Sequence, residues 1–260
     1  MFKDTLENKD QFHSLNIENQ LVDLSKHNSN EIINYIFSNS IHQINFYWLG
    51  RFDYHQAWDL QKKIQRKVID INLNDVVLFL EHNSVYTLGK NADSTNLLPT
   101  KPIDIEVVKT DRGGDITYHG PGQLVGYPII DLKKYRKSIT WFMRGLENSI
   151  IQMLEHIEIS STTKEGLTGV WVYDKKIAAL GVRLSRWVSM HGFAINVYTD
   201  LSLYRGIIPC GISDFGLTSI LELRGNKYDL PSICKLIIPN IKNMLLSESE
   251  QFMKVEHVEV

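Results

Sequence analysis

Cys210, in the run Ile207-Ile208-Pro209-Cys210-Gly211-Ile212-Ser213-Asp214, is the residue of this chain best placed by type and setting to form a covalent bond. The chain has two cysteines, so its thiol is not a matter of composition. Proline before it fixes φ and lacks an N–H, and glycine after it lets the backbone turn sharply. A thiol on such a turn is presented to a ligand rather than packed, although a lone cysteine is more often structural than reactive. Lys176 opens the apolar run Ile177-Ala178-Ala179, where an ammonium needs a partner such as a thiolate or must snorkel to solvent. The densest glycine cluster, Arg112-Gly113-Gly114-Asp115-Ile116-Thr117-Tyr118-His119-Gly120-Pro121-Gly122-Gln123, either lets a ligand approach the backbone closely or forms a pair of tight hairpin turns. It is neither a Walker loop nor a dinucleotide fingerprint, because the required lysine and spacing are missing.

His82, His119 and His191 each adjoin a turn-like stretch. None has an i, i+4 histidine partner or a carboxylate cluster, so hydrogen-bonded structural or pocket roles are expected rather than metal binding. Cys234 lies on one helix face with Ile237, Ile238, Ile241 and Leu245 and reads as core. Lys133-Lys134-Tyr135-Arg136-Lys137 reads as solvated surface, or as a dock for an acidic partner.

The elements that must position these residues follow from pattern. Asp53 caps a helix carrying Tyr54, Ala57, Trp58, Ile64 and Val68. Val76 to Leu80 is a buried strand and Ile103 to Val107 a half-exposed one. A helix starts near Thr140. Residues 169–173 and 176–182 form a hairpin, 193–197 a strand, and about 230–246 a last helix bent at Pro239. Strands interspersed with helices indicate an α+β fold, a mixed β-sheet flanked by helices. Residues 1–40 read as a polar N-terminal extension, 41–250 as one domain and 251–260 as a tail.

Net charge of −2 implies no general attraction to nucleic acid. Two cysteines make no disulfide framework, the first residues carry no signal-peptide core, and no stretch is long enough to span a bilayer. A cytoplasmic protein in a reducing compartment is expected.

In combination the motifs resemble the lipoyl(octanoyl) transferase family. The matching pieces, in the family's order, are Glu81-His82 through Val85-Tyr86-Thr87-Leu88-Gly89, Arg112-Gly113-Gly114 through Gln123, Lys176 with Ala179-Leu180-Gly181, His191 through Asn196, and Pro209-Cys210-Gly211. The resemblance implies a fold shared with biotin and lipoate protein ligases. It implies that Cys210 carries the acyl group as a thioester and that Lys176 is its partner, lowering the thiol pKa and accepting a proton. It places the substrate pocket at Arg112, Gly113, Gly114, Asp115, Ile116, Thr117, Tyr118, His119, Ala179, Leu180, Gly181, Gly192, Phe193 and Ala194. The implied donor is octanoyl-acyl carrier protein. The implied acceptors are lipoyl domains of 2-oxoacid dehydrogenase complexes and the glycine cleavage H protein, with no cofactor, metal, nucleic acid or membrane. Two other readings stay open: an ATP-dependent lipoate or biotin ligase on the same fold, and a non-catalytic binder of acyl carrier protein or lipoyl domains.

Overall fold

The computed structural model describes residues 20–208 and 216–256, with side chains up to residue 247. The Val76–Leu80 run explains the architecture. It lies in β3 (Asp75–His82), whose side chains are buried on both faces. Val76, Leu78 and Leu80 pack with α1 (Ser29–Asn39) and α2 (Tyr54–Ile71). Val77 and Phe79 pack with α3 (Ile139–His156) and α5 (Leu230–Glu256). Side chains alternate across a strand, so a strand covered by helices on both faces reads as one continuous apolar run.

The other strands are β1 (Leu21–Asp23), β2 (Ile44–Phe52), β4 (Val85–Leu88), β5 (Glu106–Lys109), β6 (Ile116–His119), β7 (Gln123–Ile129), β8 (Thr162–Lys164), β9 (Leu167–Val172), β10 (Lys175–Ser185), β11 (Val188–Asn196) and β12 (Gly216–Leu217), and a short helix α4 spans Ile220–Arg224. Among the described residues the main sheet runs β1-β2-β3-β7-β11-β10-β9-β8, with β12 added parallel to β10. β1, β2 and β3 are parallel and the next five pairings antiparallel. A smaller sheet, β5-β4-β6, feeds through β6 into β7.

Asp53 caps α2 by accepting a hydrogen bond from the Gln56 amide (3.0 Å), and Ser138 caps α3. α2 is the crossover between parallel β2 and β3. The hairpin β9–β10 turns at Tyr173-Asp174. α5 runs through Pro239 to Glu256, so residues 251–256 continue the helix instead of forming a separate tail.

Two further expectations are corrected. The segment 20–40 is no extension. β1 pairs with β2, and Leu24, Ile32 and Ile36 are at most 2% exposed in the α1/α2 core. Its apolar residues come in short pairs, Leu21-Val22, Ile32-Ile33 and Ile36-Phe37, set among Asn, Ser and Glu, so the polar composition hides the pattern. The strand expected over Ile103–Val107 starts only at Glu106. The Ile105 amide bonds the Pro102 carbonyl in a turn, and Ile103 is 96% exposed. No helix among the described residues is long and apolar enough to cross a membrane.

Candidate active site

Pairing between β9 and β10 ends at Ala178, opposite Val170. Beyond it the Arg112-Gly113-Gly114 loop takes over: the Gly113 amide donates to the Val182 carbonyl (3.1 Å). The interval, Ala179-Leu180-Gly181, is where two cavities meet. Gly181 is required there, because a Cβ would lie 2.6 Å from the Gly113 carbonyl oxygen. Arg112 anchors the loop from beneath. Its guanidinium donates to the Thr87 carbonyl (2.6 Å), the Thr87 hydroxyl (2.9 and 3.2 Å) and the Gly113 carbonyl (3.0 Å).

The first cavity is a mainly apolar slot with about 540 Å³ of empty space, open solvent at its mouth included. Of the pocket residues expected from sequence, Arg112, Gly114, Asp115, Ile116, Thr117, His119, Ala179, Leu180, Gly181, Gly192, Phe193 and Ala194 line it. Tyr118 does not: its ring is 1% exposed in a core against Tyr86 and Tyr204. Gly113 faces the second cavity. His191, expected in a structural or pocket role, lines it as well, while sequence reasoning missed Tyr54, Val125 and Tyr127 in the wall. Tyr54 is the first residue after the Asp53 cap, and Val125 and Tyr127 alternate inward from the glycine-rich stretch, so period-two alternation was the usable signal.

The second cavity holds Lys176 together with Gly113–Asp115, Ala179–Val182, Ile139, Met143 and the β8–β9 turn. Lys176 is 8% exposed, and its ammonium lies 4.7 Å from the centre of the Trp171 ring, its register partner on β9. Gly169 makes room for it. A Cβ there would meet the Lys176 Cε at 3.2 Å and the Ala178 oxygen at 2.7 Å, and the Gly169 amide is tied to the buried Glu147 carboxylate at 2.8 Å. Cys210 lies outside the described residues. The residues on either side of its segment are anchored at these cavities. The Ile208 amide bonds the Asn96 carbonyl (2.8 Å), and the Asn96 side chain bonds Asp115 (2.7 Å). After the segment, Gly216 and Leu217 pair with Lys175 and Lys176. Cys234 is fully buried on α5, and burial raises its thiol pKa well above the ordinary value, which makes it a poor nucleophile.

His119 and His191 line the slot, and His82 lies in ring contact with His119. His82 Nδ1 must donate to the Phe52 carbonyl (2.8 Å), which leaves Nε2 to accept from the Tyr127 hydroxyl (2.7 Å). His119 Nδ1 meets the Gln123 oxygen (2.7 Å), and its ring stacks on Tyr54. His191 Nε2 meets Asp111 (2.7 Å), a carboxylate also paired with Arg183. Among the described residues no group of three or more His, Cys, Asp or Glu could hold a metal ion. Of the basic run, Lys134 and Lys133 pair with the carboxylates of Asp75 and Asp131.

Comparison with known proteins decides the family. Residues 53–242 match the lipoyl protein ligase A/B catalytic domain. The octanoyltransferase of Flavobacterium johnsoniae is 41% identical over 77% of this chain and 95% of its own length. That of Flavobacterium psychrophilum is 45% identical over 75% and 94%. The chain belongs to the octanoyltransferases. Membership makes it an acyltransferase of the lipoyl ligase superfamily. A lipoate-protein ligase A bound with ATP shares its fold at a TM-score of 0.61 and 12% identity, covering 75% of this chain and 83% of the ligase. The bipartite lipoate protein ligase of Thermoplasma acidophilum does so at 0.55 and 15%, covering 75% and 82%.

In this octanoyltransferase burial favours the neutral form of His82, His119 and His191. Desolvation pulls His82 down to about 4, and desolvation together with the neighbouring His82 pulls His119 down to about 3. In the unfolded chain both titrate near 6.5. Protons therefore bind the unfolded state preferentially, and the stability contributed by the neutral rings is complete above about pH 6.5 and lost as pH falls toward 4. For His82 the loss is on the order of 3 kcal/mol. Urea midpoints measured from pH 7 to 4.5 should fall steeply, and His82→Gln should flatten that slope by about one proton. An unchanged slope in the variant assigns the titration to another group.

Proposed function

We propose that this chain moves an octanoyl group from octanoyl-acyl carrier protein to a lysine of a lipoyl domain through a thioester on Cys210. The observation that carries this reading is the junction of the two cavities at Ala179–Gly181. An apolar slot shaped for an alkyl chain opens there into a space holding Lys176, and the chain bearing Cys210 is anchored on either side at the same place. The Cys210 thiolate attacks the donor carbonyl, and the phosphopantetheine thiolate leaves and takes up the proton of the Lys176 ammonium, which becomes a neutral amine. The acceptor amine then attacks the enzyme thioester. A carbon–nitrogen bond forms, the carbon–sulfur bond breaks, and the amine proton passes to the departing thiolate or to Lys176. Thioester exchange is nearly balanced and amide formation is downhill, so no ATP, metal or cofactor enters. An adenylate-forming ligase would need ATP and no cysteine.

The test is intact-mass spectrometry after mixing the enzyme with octanoyl-acyl carrier protein, ATP omitted, followed by addition of a lipoyl domain of a 2-oxoacid dehydrogenase or the glycine cleavage H protein. An octanoyl adduct on Cys210 that discharges to the acceptor lysine is expected. Transfer that requires ATP assigns ligase chemistry instead.

Lys176 has a separate signature. A cation beside a thiol favours the thiolate. Lys176→Ala should slow iodoacetamide alkylation of Cys210 at neutral pH and move its pH midpoint upward by about one unit. Lys176→Arg keeps the charge but cannot act as a base, so alkylation should survive better than turnover. A midpoint unmoved in Lys176→Ala removes the lysine from thiol activation.

A further inference from the structure

The geometry points to His191 as the stop at the far end of the slot, the residue that sets how long an acyl chain the enzyme takes. This rests on reading the slot as the acyl site, with its reacting end beside Lys176. Of the β10 residues that line both cavities, Ala179 is the nearest along the strand to Lys176, so the carbonyl is placed near Ala179. On β11 the register partner of Ala179 is Ala194, and three residues further along β10 Val182 faces His191. Three strand residues span roughly 10 Å. The seven carbon–carbon bonds of an extended octanoyl chain, each about 1.5 Å and zigzagged, span roughly 9 Å. The eighth carbon therefore ends at His191, which lines the slot and is 2% exposed.

A stop must not yield, and this ring is held from three directions. Nε2 is bonded to Asp111 at 2.7 Å, and Asp111 is itself paired with Arg183. The backbone sits at φ 60°, the left-handed region that few residues with side chains adopt, and its amide donates to the buried Gln61 oxygen of α2 at 2.9 Å instead of to a strand. Trp58 and Tyr127 flank the ring at 6.1 and 6.4 Å between centroids. Nδ1 is buried and has no hydrogen-bond partner among the described residues. With Nε2–H given to the carboxylate, Nδ1 is a bare acceptor at the end of an apolar wall. A methyl group that stops short of it is tolerated. A longer chain must displace a fixed ring and cover an acceptor it cannot satisfy.

The experiment compares octanoyl-, decanoyl- and dodecanoyl-acyl carrier protein as donors, with a lipoyl domain as acceptor, reading kcat/KM by intact mass. Wild type should fall at least about tenfold from octanoyl to decanoyl, because one methylene in an apolar pocket is worth about 10- to 200-fold. His191→Asn and His191→Gly tolerate the left-handed backbone and remove the ring. Both should raise the decanoyl-to-octanoyl ratio by about tenfold or more. Asp111→Asn, a change in a positioning residue outside the slot wall, should raise the ratio less by loosening the ring. The ratio is internal to each variant, so a loss of folded protein does not mimic the effect. Ala194→Leu separates the two readings. If it transfers octanoyl as wild type does, the slot is not the acyl site. If it blocks transfer while the ratio stays at the wild-type value in the His191 variants, the slot reading stands and the stop lies elsewhere.

Discussion

Cys210→Ser should lower octanoyl transfer by roughly a thousandfold or more, because a hydroxyl without a strong base beside it is far less nucleophilic than a thiolate. The expectation comes from the Pro209-Cys210-Gly211 motif in the sequence and the anchoring of the flanking Ile208 and Gly216 beside the two cavities. Cys234→Ser is the matched control. Its side chain is fully buried with Ile237, Ile238 and Ile241, so a hydroxyl there loses about 1–3 kcal/mol of stability while leaving the chemistry alone. Single-turnover transfer from octanoyl-acyl carrier protein, with circular dichroism to show that both variants are folded, checks the pair. Turnover lost in folded Cys234→Ser and kept in Cys210→Ser reverses the assignment.

What could be read from the residues and what could not divide along physical lines. β3 was legible because a strand covered on both faces is uninterruptedly apolar, α2 because Asp53 stands at its start before periodic apolar residues, and α3 from the helical spacing of Phe142, Leu146, Ile150 and Met153. The β10–β11 hairpin was not, because its left-handed turn uses Arg186 and Trp187 (φ 49° and 68°) in place of the asparagine and glycine that signal one. β11 accordingly starts at Val188, five residues before the expected Phe193. The slot was legible where it is built from glycine-rich and small residues of local motifs. Tyr54 and Tyr127 were missed because they reach the slot from α2 and β7, and only the tertiary fold brings these together. The left-handed backbone at His191 has no signature in residue type.

Deleting residues 1–40 should leave a chain that does not fold, although composition alone marks this segment as dispensable. β1 is the outer neighbour of β2, pairing Leu21, Val22 and Asp23 with Phe46, Tyr47 and Trp48, and the Leu24 amide extends the ladder to the Trp48 carbonyl at 2.8 Å. α1 begins in a capping box formed by Asn28 and Glu31 and lays Ile32 and Ile36, both 0% exposed, against the core that contains Tyr47, Leu49 and Ile64. Truncating one buried isoleucine to alanine costs about 2–5 kcal/mol, against a domain stability of about 5–15 kcal/mol. Removing Leu24, Ile32 and Ile36 together uncovers that core, and removing β1 opens the edge of β2. Deletion of residues 1–19 removes none of these contacts and should leave the urea midpoint near that of the full chain. Ile32→Ala and Ile36→Ala should each lower the midpoint with an unchanged m-value. A protein starting at residue 41 that melts cooperatively near the full-length midpoint and transfers octanoyl would show that β1 and α1 only cover the sheet and do not stabilise it.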